Sequence, residues 1–154
     1  MVAGRLKALL EERTAKVAVV GCGYVGLPLA LAVWEAGFTV WAVDVDEQKV
    51  QMLRSGRSYV GDVADGTVRV AVESERFRPV GYELGAGEAD VVVVCVPTPL
   101  GRFGEPDLGA VEGAARWIAN GLRSGMLIIL ESTTYPGTTD EVVRPILEGS
   151  GLVC

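Results

Sequence analysis

Residues 16–26 read Lys16-Val17-Ala18-Val19-Val20-Gly21-Cys22-Gly23-Tyr24-Val25-Gly26. A continuous apolar run stops at a glycine, and the pattern GxGxxG follows. Such a run suits a strand buried on both faces, as in a parallel sheet. From Tyr24 to Ala36 the apolar spacing turns helical, and Gly37 ends it. Each glycine has its own reason. Gly21 permits the tight turn, Gly23 lets backbone approach a pyrophosphate with no side chain in the way, and Gly26 lets the helix pack close to the strand. The helix N-terminus offers free N–H groups and a positive dipole end to phosphate. Pro28 falls within the first turn, where N–H groups have no intrahelical partner, so it does not break the helix.

The pattern alone is weak because Gly is frequent here; its context gives it weight. A second apolar strand, Phe38 to Val43, ends at Asp44, 23 positions after Gly21 and close to the ~20 expected of the acid that binds a ribose. A carboxylate there accepts hydrogen bonds from the adenosine ribose hydroxyls and repels a 2′-phosphate, which favours NAD over NADP. Lys49 pulls the other way, since a cation tolerates phosphate. NAD is the expected cofactor. Cys22 has two open readings. It is either a reactive thiol at a helix N-terminus, where its pKa falls, or simply a variable position of the loop.

Outward from this unit, strands alternate with helices. Leu6 to Glu12 reads as a short amphipathic helix. Asp46 caps a helix over Glu47 to Arg54, closed by Ser55-Gly56. A helix is expected between Gly66 and Arg76 and a short strand over Phe77 to Val80. Val91 to Val96 is the most strand-like segment, stopped by Pro97. A helix runs from Asp107 to about Leu122, a buried strand from Met126 to Leu130, and a helix from Thr138 to Leu147. Leu152 to Cys154 reads as the beginning of another strand. The expected fold is α/β: a Rossmann doubly wound parallel sheet in three α/β/α layers, with residues 1–154 as one domain.

Composition removes several function classes. The chain has 154 residues, 49% of them hydrophobic, too apolar for disorder. No run approaches the ~18 apolar residues of a membrane span, and Met1 to Arg13 lacks a signal-peptide core, so a soluble cytoplasmic protein is expected. Net charge is −6, against nucleic-acid binding. There is no His, which removes His bases and His metal ligands. Cys22, Cys95 and Cys154 have neither disulfide-framework density nor zinc spacing. No metal site is expected.

Ligands of doubly wound sheets sit beyond the carboxyl ends of the strands, so two further strand ends matter. Val96-Pro97-Thr98-Pro99-Leu100 is stiffened by two prolines. Either Thr98 faces the nicotinamide half of the cofactor, or the segment is a rigid turn without ligand contact. Glu131-Ser132-Thr133-Thr134-Tyr135-Pro136-Gly137 places hydroxyls directly after a strand, either as a polar site or as helix caps. Thr138 or Thr139 suits capping better, which leaves Ser132 and Thr133 for the site. Cys95, in mid-strand, reads as buried and inert.

Taken together and in this order, GCGYVGLPLA, CVPTPL followed by EPDL, and ESTTYPGTT resemble the UDP-glucose/GDP-mannose dehydrogenase family, most of all its UDP-N-acetylglucosamine 6-dehydrogenase branch, which SYVGDV (Ser58 to Val63) also resembles. The resemblance implies NAD-dependent oxidation of a sugar C6 hydroxyl to a carboxylate in two hydride transfers, through a covalent thiohemiacetal and thioester on a Cys assisted by a Lys. By position, Gly21, Cys22, Gly23, Tyr24, Val25, Gly26, Asp44, Lys49, Val96, Pro97, Thr98, Ser132 and Thr133 match family cofactor contacts. Thr133 also matches a hydroxyl that supports catalysis by positioning water or the oxyanion. The family's Gly-rich cysteine motif has no match in 1–154. The catalytic and nucleotide-sugar-binding domains and the dimerising helix are likewise expected outside it. The expectation is therefore an NAD-binding domain, inactive alone, of an enzyme that is a homodimer acting on a UDP-sugar. The alternative is a stand-alone NAD-binding or regulatory module. A methyltransferase using S-adenosylmethionine is a third option, disfavoured by the glycine spacing with Asp44.

Overall fold

The computed structural model describes residues 2–102 and 104–154, and the side chains of Val2 and Ala3 are not described. Its strands are β1 (Lys16–Val20), β2 (Thr39–Val43), β3 (Phe77–Val80), β4 (Val91–Val94) and β5 (Leu127–Leu130). They form one parallel sheet in the order β3-β2-β1-β4-β5. The helices are α1 (Val2–Glu11), α2 (Gly26–Glu35), α3 (Glu47–Arg54), α4 (Asp65–Glu73), α5 (Gly109–Gly121) and α6 (Arg144–Glu148). The doubly wound fold is as expected.

Side chains alternate across each strand, and the two core faces follow. Val17, Val19, Val40, Ala42, Val91 and Val93 pack against Leu27, Ala30 and Leu31 of α2, Leu53 of α3 and Val68 and Ala71 of α4. Ala18, Val20, Trp41, Val43, Val92 and Val94 face Val111, Ala114, Trp117 and Ile118 of α5 and Leu147 of α6. The chain reverses its winding at β1, between β2 and β4, and the ends of these strands open onto one crevice.

Local signals account for the elements that match the sequence reading. The Asp46 carboxylate accepts the N–H groups of Gln48 (2.9 Å) and Lys49 (3.4 Å), capping α3 as expected. Pro28 sits in the first turn of α2. Other expectations fail, some for tertiary reasons and one for a local one. β5 lies at the sheet edge and is only partly buried, with Leu127 40% exposed. β4 ends at Val94, so Cys95 lies past the strand rather than within it. The segment read as one helix from Thr138 is a π-helical turn, Thr139–Val143, followed by α6. Pro145 lacks the N–H an α-helix would use there, and its ring would crowd the carbonyl four residues back. Thr138 caps nothing: it is buried, and its hydroxyl donates backwards to the Tyr135 carbonyl at 2.8 Å. Leu152 to Cys154 is not a strand. Cys154 instead donates its N–H to Glu148 (3.1 Å) and accepts from Arg144 (2.8 Å). Among the described residues, no helix is long and apolar enough to cross a membrane.

Candidate functional site

A cleft of about 990 Å³ opens where the carboxyl ends of β1, β2, β4 and β5 meet, at the top of the range for cofactor sites (about 300–1,000 Å³). Gly21, Gly23, Tyr24, Val25, Asp44, Lys49, Val96, Pro97, Thr98, Ser132 and Thr133 all line it. Segments separated by more than a hundred residues therefore converge, as the sequence reading required. Cys22 and Gly26 are the two candidates not on the lining.

The glycines divide their work. Gly21 has φ +91°, and a Cβ there would come within 2.6 Å of the Cys95 carbonyl oxygen. A Cβ on Gly26 would overlap the Gly21 carbonyl. These two permit the turn and the contact of α2 with β1. Gly23 differs: a Cβ there meets nothing within 4 Å, so the position is open. Among the described residues, the N–H groups of Gly23, Tyr24, Val25 and Gly26 donate to no protein acceptor. Four unpaired donors at a helix N-terminus beside an open backbone are the donor set a pyrophosphate requires.

Cys22 points away from this surface. Its Sγ is fully buried, 3.6 Å from the Val43 carbonyl and 3.8 Å from that of Val19. Burial, reinforced by the Asp44 charge, pushes its thiol far above the ordinary range. The reactive-thiol reading therefore fails, and Cys22 is a core residue of the loop.

Asp44 is 7% exposed, yet it borders the cleft. Oδ2 accepts the Cys22 N–H at 2.9 Å and lies 3.9 Å from Lys49 Nζ. Oδ1 accepts the Asp46 N–H at 2.9 Å. Each oxygen keeps lone-pair capacity for a diol. Lys49 Nζ also sits 5.7 Å from the centre of the Tyr59 ring.

On the opposite side, hydroxyls brace the two loops. Thr98 donates to the Thr133 carbonyl at 2.5 Å, and Ser132 donates to the Val96 carbonyl at 2.9 Å. Thr98 and Ser132 thus spend their protons on backbone and offer the cleft only acceptor capacity, whereas Thr133 is exposed.

Tyr59, Tyr82, Cys95 and Glu131 also line the cleft; the sequence reading gave none of them a place in the site and took Cys95 for buried and inert, whereas it is only half-buried and borders the cleft. Cys95 is half-buried, and burial, then the Glu131 carboxylate, push its thiol up to about 11. Tyr82 stacks on Trp117 with ring centres 5.1 Å apart. Tyr82, Cys95 and Glu131 are signalled only by their position past strand ends β3, β4 and β5, whereas Tyr59 comes from the connection between α3 and α4.

Comparison with known proteins agrees with this geometry. Residues 15–152 match the UDP-glucose/GDP-mannose dehydrogenase family, NAD binding domain. The chain is 36% identical over 127 residues to a UDP-N-acetyl-D-mannosamine dehydrogenase of Salmonella typhimurium, covering 82% of this chain and 30% of that protein. It is 36% identical over 137 residues to a UDP-N-acetyl-D-glucosamine 6-dehydrogenase of Pseudomonas aeruginosa, covering 86% and 31%. The fold is similar to a solved UDP-D-ManNAc dehydrogenase of Pyrococcus horikoshii (TM-score 0.83, 30% identity, 90% of this chain and 33% of that one). The chain spans about a third of the length of these relatives. By sequence and by fold, it belongs to the UDP-glucose/GDP-mannose dehydrogenase family, of which it carries the NAD-binding domain.

Proposed function

We propose that residues 1–154 form one domain that holds NAD for a nucleotide-sugar 6-dehydrogenase. That enzyme would oxidise the C6 hydroxyl of a UDP-sugar to a carboxylate, as a cytoplasmic homodimer. The observation that carries the reading is the convergence of the glycine loop, Asp44 and the loops after β4 and β5 on one cleft. Bound NAD supplies the hydride acceptor. The unpaired amides of Gly23 to Gly26 bind the pyrophosphate, and Asp44 binds the adenosine ribose, with Lys49 beside it. The Val96–Thr98 segment and Ser132 border the nicotinamide half. Thr133, whose side chain is exposed, supports the chemistry by positioning water or the oxyanion near the reacting carbon. The cysteine and lysine of the covalent steps have no counterpart in 1–154, so this chain alone is expected to be inactive.

Calorimetry with NAD and NADP tests the binding assignment. NAD is expected to bind, and more tightly than NADP; tighter binding of NADP would overturn the role given to Asp44. Sugar oxidation by this chain alone would sink the claim that the covalent chemistry lies outside it.

A further inference from the structure

Both backbone polar groups of Cys22 are held by side chains from distant elements. Its N–H donates to Asp44 Oδ2 at 2.9 Å, and its carbonyl accepts from the Tyr59 hydroxyl at 2.6 Å. Lys49 closes the circuit, 3.9 Å from Asp44 and 5.7 Å from the Tyr59 ring centre. Tyr59 is itself anchored. The Ser58 hydroxyl accepts the Val60 N–H at 3.0 Å, and the Ser58 N–H donates to Asp65, the first residue of α4, at 2.7 Å.

The Tyr59 tie matters because of what flanks Cys22. Gly21 and Gly23 have wide backbone freedom, so the peptide between Cys22 and Gly23 has little intrinsic preference for one orientation. In a trans peptide the C=O and the following N–H point in opposite directions. Holding the Cys22 carbonyl on Tyr59 therefore holds the Gly23 N–H on the other side. If that peptide flipped, a carbonyl oxygen would take the place of the donor and repel a phosphate. Burial, with the neighbouring Cys22 thiol and the carboxylates of Asp44 and Asp46, pushes the Tyr59 phenol up, so it remains a donor well into the alkaline range.

We infer that Tyr59 is a positioning residue for dinucleotide binding: its hydroxyl locks the Cys22–Gly23 peptide in the orientation that presents the Gly23 N–H to the pyrophosphate. The inference rests on the NAD reading above. Tyr59 acts before the ligand arrives, so its contribution is preorganisation and falls on the phosphate half of the ligand.

The test compares the wild-type chain with Tyr59→Phe, which keeps the ring beside Lys49 and removes only the hydroxyl. Calorimetry with NAD and ADP is combined with an NMR titration with adenosine, which lacks the pyrophosphate. NAD and ADP are expected to weaken in parallel by roughly 2- to 10-fold, the size of one net hydrogen bond, while adenosine affinity stays as in the wild type and the melt stays cooperative, its midpoint lowered by no more than about 5 °C. Unchanged NAD and ADP affinity would overturn the inference and leave the NAD reading standing. Equal weakening of adenosine, or loss of the cooperative melt, would assign the hydroxyl to general stability and also overturn it. A wild-type chain that binds neither NAD nor ADP would remove the NAD reading, and the inference with it.

Discussion

The carboxylate of Asp44 accepts the backbone N–H of Cys22 at 2.9 Å, so the acid that closes β2 also holds the turn that closes β1. Asp44→Asn keeps the shape but exchanges one acceptor oxygen for a donor and removes the charge. NAD affinity is expected to fall by roughly 10- to 100-fold, the range for hydrogen bonds to a charged group. The preference for NAD over NADP should narrow at the same time, because the repulsion of a 2′-phosphate is gone. Calorimetry with both cofactors reads the two effects together. An unchanged cofactor ratio would contradict the account.

Gly23 and Gly26 are predicted to fail in opposite ways. A methyl at 23 enters open space, whereas one at 26 overlaps the Gly21 carbonyl. Gly23→Ala should melt within a degree or two of the wild type and lose NAD binding. Gly26→Ala must push α2 away from β1 and should lose about 1–3 kcal/mol or more of stability. Thermal melts with and without NAD separate the two variants.

The three thiols should react in a fixed order. Cys154 is exposed, Cys95 half-buried with its pKa near 11, and Cys22 buried with its pKa raised much further. Thiolate is the reactive form. At pH 8 an alkylating reagent should label Cys154 first and Cys95 slowly, and should leave Cys22 unlabelled until the chain unfolds. NAD should slow the labelling of Cys95, which lines the cleft. Peptide mass spectrometry over time reads all three sites, and labelling of native Cys22 ahead of Cys95 would contradict its burial.

Asp90 sets an acid limit on stability. Burial opposes its charge. The Lys16 N–H at 2.9 Å and Arg123 Nη2 at 2.8 Å outweigh that and hold its carboxyl below the ordinary range. A carboxyl lowered in the folded state stabilises above its unfolded pKa of about 3.9, and the contribution is lost as pH falls through the depressed value. Asp90→Asn should therefore cost about 1.5 kcal/mol at pH 7, the lower end for charged hydrogen bonds, since Arg123 is partly in water. The gap between the two melting curves should narrow as pH falls below the unfolded-state value and close once pH drops beneath the depressed one. A gap that persists there would assign the loss to packing.

The strands and helices that the sequence marked well are those with local causes. β1 is an apolar run ended by Gly21, α3 has Asp46 as cap, and β3 is bounded by charge and glycine. The glycine loop and Asp44 were legible for the same reason: their spacing follows from the short strand, turn and helix that join them. Thr138 was misread because a hydroxyl beside a helix start looks like a cap whether it accepts forwards or donates backwards. Only the path of the chain at Tyr135 decides that.

The sequence by itself determined the alternating strand–helix order, the glycine turn and the acid that follows it, because each is written in residues close along the chain. The tertiary structure alone decided that β5 is an edge, that the Cys22 thiol faces the core, and that Thr98 and Ser132 brace two loops. It also brought Tyr59 onto the Cys22 carbonyl across 37 positions. A hydrogen bond of that span leaves no periodic trace: it depends on where the sheet order sets two segments side by side, and the sheet order is a property of the whole chain.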